Sequence, residues 1–168
     1  MLAVTVSDGF GGTATAALAV TVNLPKFKAT ASKKKFQLNF KTGSDTLSVT
    51  LSSASFNAAV PDGTAIALVL GDLAVAVPTV LDSGTLTKNK ATGAKLFGKF
   101  TYNAKAGSVT YTLSKSSLQS ALAAFGAKQT PASGTLTIPL YIFIQSQYYG
   151  DDFIFSYSVS KAGIGKGF

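Results

Sequence analysis

Seven Asp are the only carboxylates in this chain, and all fifteen basic residues are Lys; Glu, Arg, His, Cys and Trp do not occur. Zinc sites built from Cys and His, nucleophiles driven by an imidazole base, and guanidinium forks for phosphate are therefore excluded by residue type alone. Carboxylate chemistry must draw on the Asp residues. Asp151 and Asp152 are neighbours at the start of an expected strand, so their side chains should point to opposite faces and could not share one substrate. Asp8, Asp62, Asp72 and Asp82 each stand beside Gly, Ser or Pro, where Asp usually closes a turn. Ca²⁺ is the cofactor to weigh for such oxygens, and it asks for about six to eight ligands. No Asp-x-Asp-x-Asp spacing occurs, which leaves Asp8, Asp151 and Asp152 as metal candidates and no residue as a catalytic one. The glycine-rich runs 9–12 and 163–167 do not join a strand to a helix, so neither fits a phosphate loop.

Aromatic side chains offer a different chemistry. Gln147-Tyr148-Tyr149-Gly150-Asp151 reads as a tight turn centred on Tyr149-Gly150, pairing Ile144 with Phe155, Ile142 with Tyr157 and Leu140 with Val159. Those residues make one apolar face, which should be core. The opposite face then carries Tyr141 and Phe143 among serines, with Tyr148 and Tyr149 extending the patch at the hairpin tip. Tyr141, Phe143, Tyr148 and Tyr149 are thus candidate ligand-binding residues, a platform of rings for sugar or polymer. The competing expectation is that a helix, a hairpin or a neighbouring module covers the patch.

The net charge is +8 and the pI about 9.7. Lys neutralises phosphate, but without Arg or a recognition helix the composition argues against nucleic acid. A polysaccharide or an anionic cell-surface polymer is the partner this charge fits. No membrane span is expected: the most apolar stretch, 64–81, is broken by Gly71-Asp72 and Pro78, whereas a spanning helix needs about 20 apolar residues. It reads instead as a hairpin.

The elements that must hold these residues are strands. With 16 Gly, many Ser and Thr, and 46% hydrophobic content, the chain suits a β fold with frequent turns. Alternation predicts strands over 2–7, 13–22, 35–41, 45–52, 64–70, 73–80, 84–88, 95–103, 108–114, 134–145 and 152–160. One helix is expected near 116–125, where Leu118, Leu122 and Phe125 share a face, Ser116 or Ser117 can cap, and Gly126 stops it. A turn of helix near 55–59 is the only other candidate. The fold class is all-β, an antiparallel Ig-like or jelly-roll-type sandwich with one short helix. An internal echo points to two duplicated halves: Lys41-Thr42-Gly43-Ser44 followed by Thr50-Leu51-Ser52 matches Lys105-Ala106-Gly107-Ser108 followed by Thr112-Leu113-Ser114. The match slips by one residue in the hairpins that follow, which calls for a bulge or another register.

The string Val4-Thr5-Val6-Ser7-Asp8-Gly9-Phe10-Gly11-Gly12-Thr13, with its second alternating run to Val22, resembles the closing hairpin of cadherin-like and Ig-like tandem repeats in large bacterial surface proteins. The remainder, through Phe36-Gln37-Leu38-Asn39-Phe40 and Phe155-Ser156-Tyr157-Ser158-Val159, is similar to uncharacterised β domains that follow such repeats. The resemblance implies a truncated repeat hairpin over 1–23, a Lys-rich linker or edge strand over 24–35, a β-sandwich domain over 36–160 and a flexible tail over 161–168. It implies a non-enzymatic, secreted or cell-surface module beside other β modules of the same parent chain, with a spacer, adhesion or anchoring role. A carbohydrate-binding module using the aromatic patch is the alternative.

Overall fold

A computed structural model describes residues 2–7, 13–18, 26–71, 79–130 and 133–168, the first two stretches as backbone and pairing only. The strands are β1 (Leu2–Ser7), β2 (Thr13–Leu18), β3 (Lys26–Lys28), β4 (Thr30–Asn39), β5 (Asp45–Ser52), β6 (Ala65–Leu70), β7 (Thr79–Thr85), β8 (Lys90–Thr92), β9 (Lys99–Asn103), β10 (Ser108–Ser116), β11 (Ser133–Ile144), β12 (Gln147–Val159) and β13 (Ile164–Gly167). A 3-10 turn at Ala54–Asn57 and one short helix, α1 (Gln119–Ala123), complete the described elements. The chain is all-β.

β1 and β2 form an antiparallel hairpin in register from Leu2↔Leu18 to Ser7↔Thr13, as the alternation predicts. The other strands make one sheet in the order β7-β6-β11-β12-β13-β4-β5-β10-β9-β8, with β3 pairing β12 in parallel. Its two ends, β7 and β8, meet: Ala94 N donates to Ser83 O at 2.7 Å. The sheet is thus a nearly closed, sandwich-like barrel. Closure leaves few free edges for unwanted pairing. Alternating residues fill its interior, among them Phe36, Leu38, Val49, Leu51, Tyr111 and Phe155, each at most 3% exposed.

Exchanging β4–β8 for β9–β13, strand for strand, maps the sheet order onto itself read in the opposite direction. That is the signature of an approximate two-fold axis between two halves of like topology. The sequence echo is longer than the turn alone, since Lys35-Phe36 and Asn39 match Lys99-Phe100 and Asn103. The matched turns use matched chemistry: Asn39 Oδ1 accepts from Thr42 N at 3.2 Å, and Asn103 Oδ1 accepts from Ala106 N at 3.0 Å. Gly43 and Gly107 then take φ of +67° and +56°. The phase slip in the hairpins has a cause on one side, a bulge between Leu68 and Val69.

Several sequence expectations need correction. The β11–β12 turn lies at Gln145-Ser146, both at positive φ, instead of Tyr149-Gly150. Such a turn normally announces itself with Asn-Gly, and here it does not. Gly150 serves close packing instead: a Cβ there would come within 2.1 Å of Leu140 O. The true partners are Leu136↔Phe155, Ile138↔Phe153 and Ile142↔Tyr149. Because the slip is by an even number of residues, the expected core face survives. Residues 164–167, expected as tail, are strand β13, wedged between β12 and β4. Only glycine fits at Gly167, where a Cβ would stand 2.2 Å from the Phe36 ring. Residues 26–35, expected as linker or edge strand, are strands paired on one side among the described residues, β3 on β12 and Thr30–Lys35 on β5, which fits the edge-strand alternative. Finally, no Ser side chain caps α1; Asp45 Oδ2 accepts from Leu118 N at 2.7 Å across 73 residues of sequence.

Candidate functional site

Three of the five described carboxylates, Asp45, Asp62 and Asp82, are built into the scaffold. Asp82 is fully buried in β7 and accepts from Lys95 N at 3.0 Å, Leu96 N at 3.1 Å, Gly98 N at 3.0 Å, Ser83 N at 3.0 Å and Tyr111 Oη at 2.9 Å. Donated hydrogen bonds are what make a buried carboxylate tolerable. Burial, then the bond to Asp82, pushes the Tyr111 phenol far above its ordinary value of 10.0. Asp45 is equally buried and accepts from Asn39 N at 2.7 Å besides Leu118 N. Asp62 accepts from Lys88 N at 2.7 Å.

Asp151 and Asp152 point apart, as strand geometry requires. Asp151 takes the N–H of Asp152 at 2.9 Å and faces Lys28 Nζ at 3.3 Å. The backbone N–H first, and then the lysines, hold its carboxyl below the usual value. Asp152 instead accepts from Tyr141 Oη at 3.3 Å on the outer surface. Asp8 and Asp72 lie outside the described residues. Among the described residues no group of three His, Cys, Asp or Glu could hold a metal ion.

The four aromatic candidates do not share one open face. Tyr149 points inward, stacked on Phe27 with centroids 5.3 Å apart and tilted against Phe56 at 4.6 Å, its hydroxyl on Gln147. Tyr141 points outward but is fully buried in a second apolar cluster with Ala67 and Val69, and Lys26 Nζ lies 4.9 Å from its ring centroid. Phe143 and Tyr148 pair across the hairpin at 4.9 Å, both half-buried against that cluster. Only this pair keeps partly open ring surface.

A face that the sequence reading did not single out lies on the other side of the barrel. Outward positions of β8, β9, β10, β5 and β4 carry Lys, Thr, Ser, Asn and Gln, with no carboxylate and no large apolar side chain. One row runs Lys99–Thr112–Ser48–Lys35 and the next runs Thr101–Thr110–Thr50–Lys33. Thr50 Oγ1 and Thr110 Oγ1 share a hydrogen bond of 3.0 Å at the middle of the face. At its margin an open depression of about 590 Å³ lies between Lys90 and Lys99. The signal was present as Lys and Thr at alternate positions, but no single strand shows the row; it exists only once five strands are in register.

No described helix is long and apolar enough to cross a membrane. Comparison with protein-family models, with curated proteins and with solved structures finds no match for this chain.

Proposed function

We propose that the chain is a non-enzymatic, extracellular β module of a bacterial surface protein, acting in spacing, adhesion or anchoring. The observation that carries this reading is the use made of its ionisable groups. Asp45 and Asp82 are spent on backbone N–H groups inside the barrel, Asp62 holds a loop, and burial raises the phenols of Tyr102, Tyr111, Tyr149 and Tyr157 above their ordinary value, Tyr111 the furthest. General acid–base work needs a group open to substrate and poised near the operating pH; Asp45 and Asp82 are closed off inside the barrel, and the phenols are raised away from that range. What faces solvent instead is a broad hydroxyl and lysine surface suited to holding a polymer. The resemblance of residues 4–22 to repeat hairpins of bacterial surface proteins supplies the setting.

A second reading, a carbohydrate-binding module, draws on the Phe143–Tyr148 ring pair. Retention on an array of neutral and anionic glycans separates the two. The adhesion reading expects anionic features to hold the chain, with polymer length unchanged on prolonged incubation. Shortened polymer would overturn the non-enzymatic reading, and retention on neutral sugars alone would favour the ring pair.

A further inference from the structure

We infer that the outer face of β9, β10, β5 and β4 is a binding trough for a linear polyanionic glycan, with Lys35 and Lys99 as its two walls. The inference deepens the adhesion reading and rests on it. Lys99 stands opposite Thr112, Thr112 opposite Ser48, and Ser48 opposite Lys35, so the two lysines bracket two hydroxyl-bearing strands. Strands lie about 4.8 Å apart, which sets the lysine-bearing backbones roughly 14 Å apart, enough for one extended polymer chain between them. Both side chains are exposed. Thr50, Thr110 and Thr112 form the floor, and hydroxyls of this kind donate to and accept from sugar hydroxyls alike.

Ser48 adds an independent sign. Its Oγ is buried within this floor and has no hydrogen-bond partner, the one such side-chain atom among the described residues. Buried polar atoms are normally paired; Ser48 Oγ is covered, so it reaches a ligand only when the side chains over it move aside.

Charge selects the class of ligand. Of the described carboxylates, Asp45 and Asp82 are buried, Asp62 is tied to the Lys88 loop, and Asp151 and Asp152 belong to β12. The trough therefore carries positive charge that no described carboxylate cancels, which draws anions. Lysine is a point charge on a flexible stem, suited to anionic groups at variable spacing. The face has no aromatic ring on which a base could stack and no Arg to read one, so the chemistry favours a glycan over a nucleic acid. Lys35 and Lys99 are equivalents in the two halves of the barrel. A polymer lying along β5 and β10 thus meets the same pair of walls in either direction.

The test compares two full-length variants of equal net charge, K35Q/K99Q and the control K128Q/K161Q, whose four lysines are all exposed. The probes are a heparin fragment, a polygalacturonate fragment, a polyglutamate peptide and a single-stranded DNA oligonucleotide, measured by titration at several salt concentrations. The wild-type chain should bind one or both glycans more tightly than the peptide or the DNA; which glycan binds tells sulfate from carboxylate. K35Q/K99Q should lose about tenfold or more, with the salt dependence shallower by about two charges, while the control stays within about twofold. Equal losses in both variants, or preference for DNA or peptide, would overturn the site. If glycan binding persists unchanged in both variants, the trough is wrong and the adhesion reading stands. If the wild-type chain holds no glycan at all, the trough and the adhesive role fall together. Unchanged melting temperatures show that the variants are folded.

Discussion

Removing the Asp82 carboxylate tests the barrel's closure at its most loaded point. In Asp82→Ala, the amides of Lys95, Leu96 and Gly98 and the hydroxyl of Tyr111 lose their acceptor together. The Gly98 and Tyr111 bonds are buried, and an orphaned buried donor costs about 1–3 kcal/mol. The Lys95 and Leu96 bonds are only part-buried, so water recovers most of theirs. The sum is about 3–6 kcal/mol, against about 5–15 kcal/mol for a whole domain. Asp82→Asn keeps one acceptor oxygen and should lose about half as much. For a chain of this size each kcal/mol moves the melting temperature by roughly 2–4 °C, so Asp82→Ala should melt on the order of 10 °C or more below wild type. Urea unfolding gives the free energy directly. Adding Tyr111→Phe to Asp82→Ala removes one orphan, and the double variant should be less destabilised than the sum of the singles. A loss below about 1 kcal/mol in Asp82→Ala would refute the reasoning, because it would mean that the amides of the 95–98 loop have no need of this carboxylate.

Three further outcomes follow from the same geometry. The phenols of Tyr102, Tyr111, Tyr149 and Tyr157 are raised by burial, so the folded chain keeps protons that the unfolded chain releases; stability is whole below the ordinary value of 10.0 and falls as pH rises beyond it, and tyrosinate absorbance should appear cooperatively with unfolding. Asp151 is held low, so its carboxyl should titrate by NMR below its ordinary 3.8, and Lys28→Gln should move that midpoint up by less than loss of the Asp152 amide bond would, the amide being the larger cause. Phe97 sits at φ +59° with its side chain 75% exposed, so Phe97→Gly relieves strain without losing core contacts and should leave stability equal or raised by about 1 kcal/mol on denaturant unfolding.

The all-β class, the short helix near 119–123, the 3-10 turn and most strands were legible because alternation and turn residues are local signals. The Asp45-Thr46-Leu47-Ser48-Val49 segment shows the ideal case, apolar in and hydroxyl out at every step along β5 apart from the capping Asp45. The Gln145-Ser146 turn was not legible, since its two positive φ values are imposed by the register of two long strands and not announced by glycine. Nor was β13: a Gly-rich end reads as loose until Tyr157 and Phe36 are in place to demand glycine at Gly165 and Gly167. The aromatic patch was read correctly as outward at Tyr141 and Phe143, but what buries Tyr141 is tertiary. Asp82 looked like a turn residue and Asp45 like an ordinary strand start, because burial and partners 29 and 73 residues away leave no local mark. The Lys and Thr face has the same character, a property of five strands side by side.

The most direct measurement is an amide NMR map of the isotope-labelled chain titrated with the heparin fragment. The account predicts that shifts concentrate at Lys35, Ser48, Thr50, Lys99, Thr110 and Thr112, on the face between the two lysine walls, and fade as salt is added. Shifts concentrated at Phe143, Tyr148 and their neighbours, with the β5 and β10 amides unmoved, would contradict it.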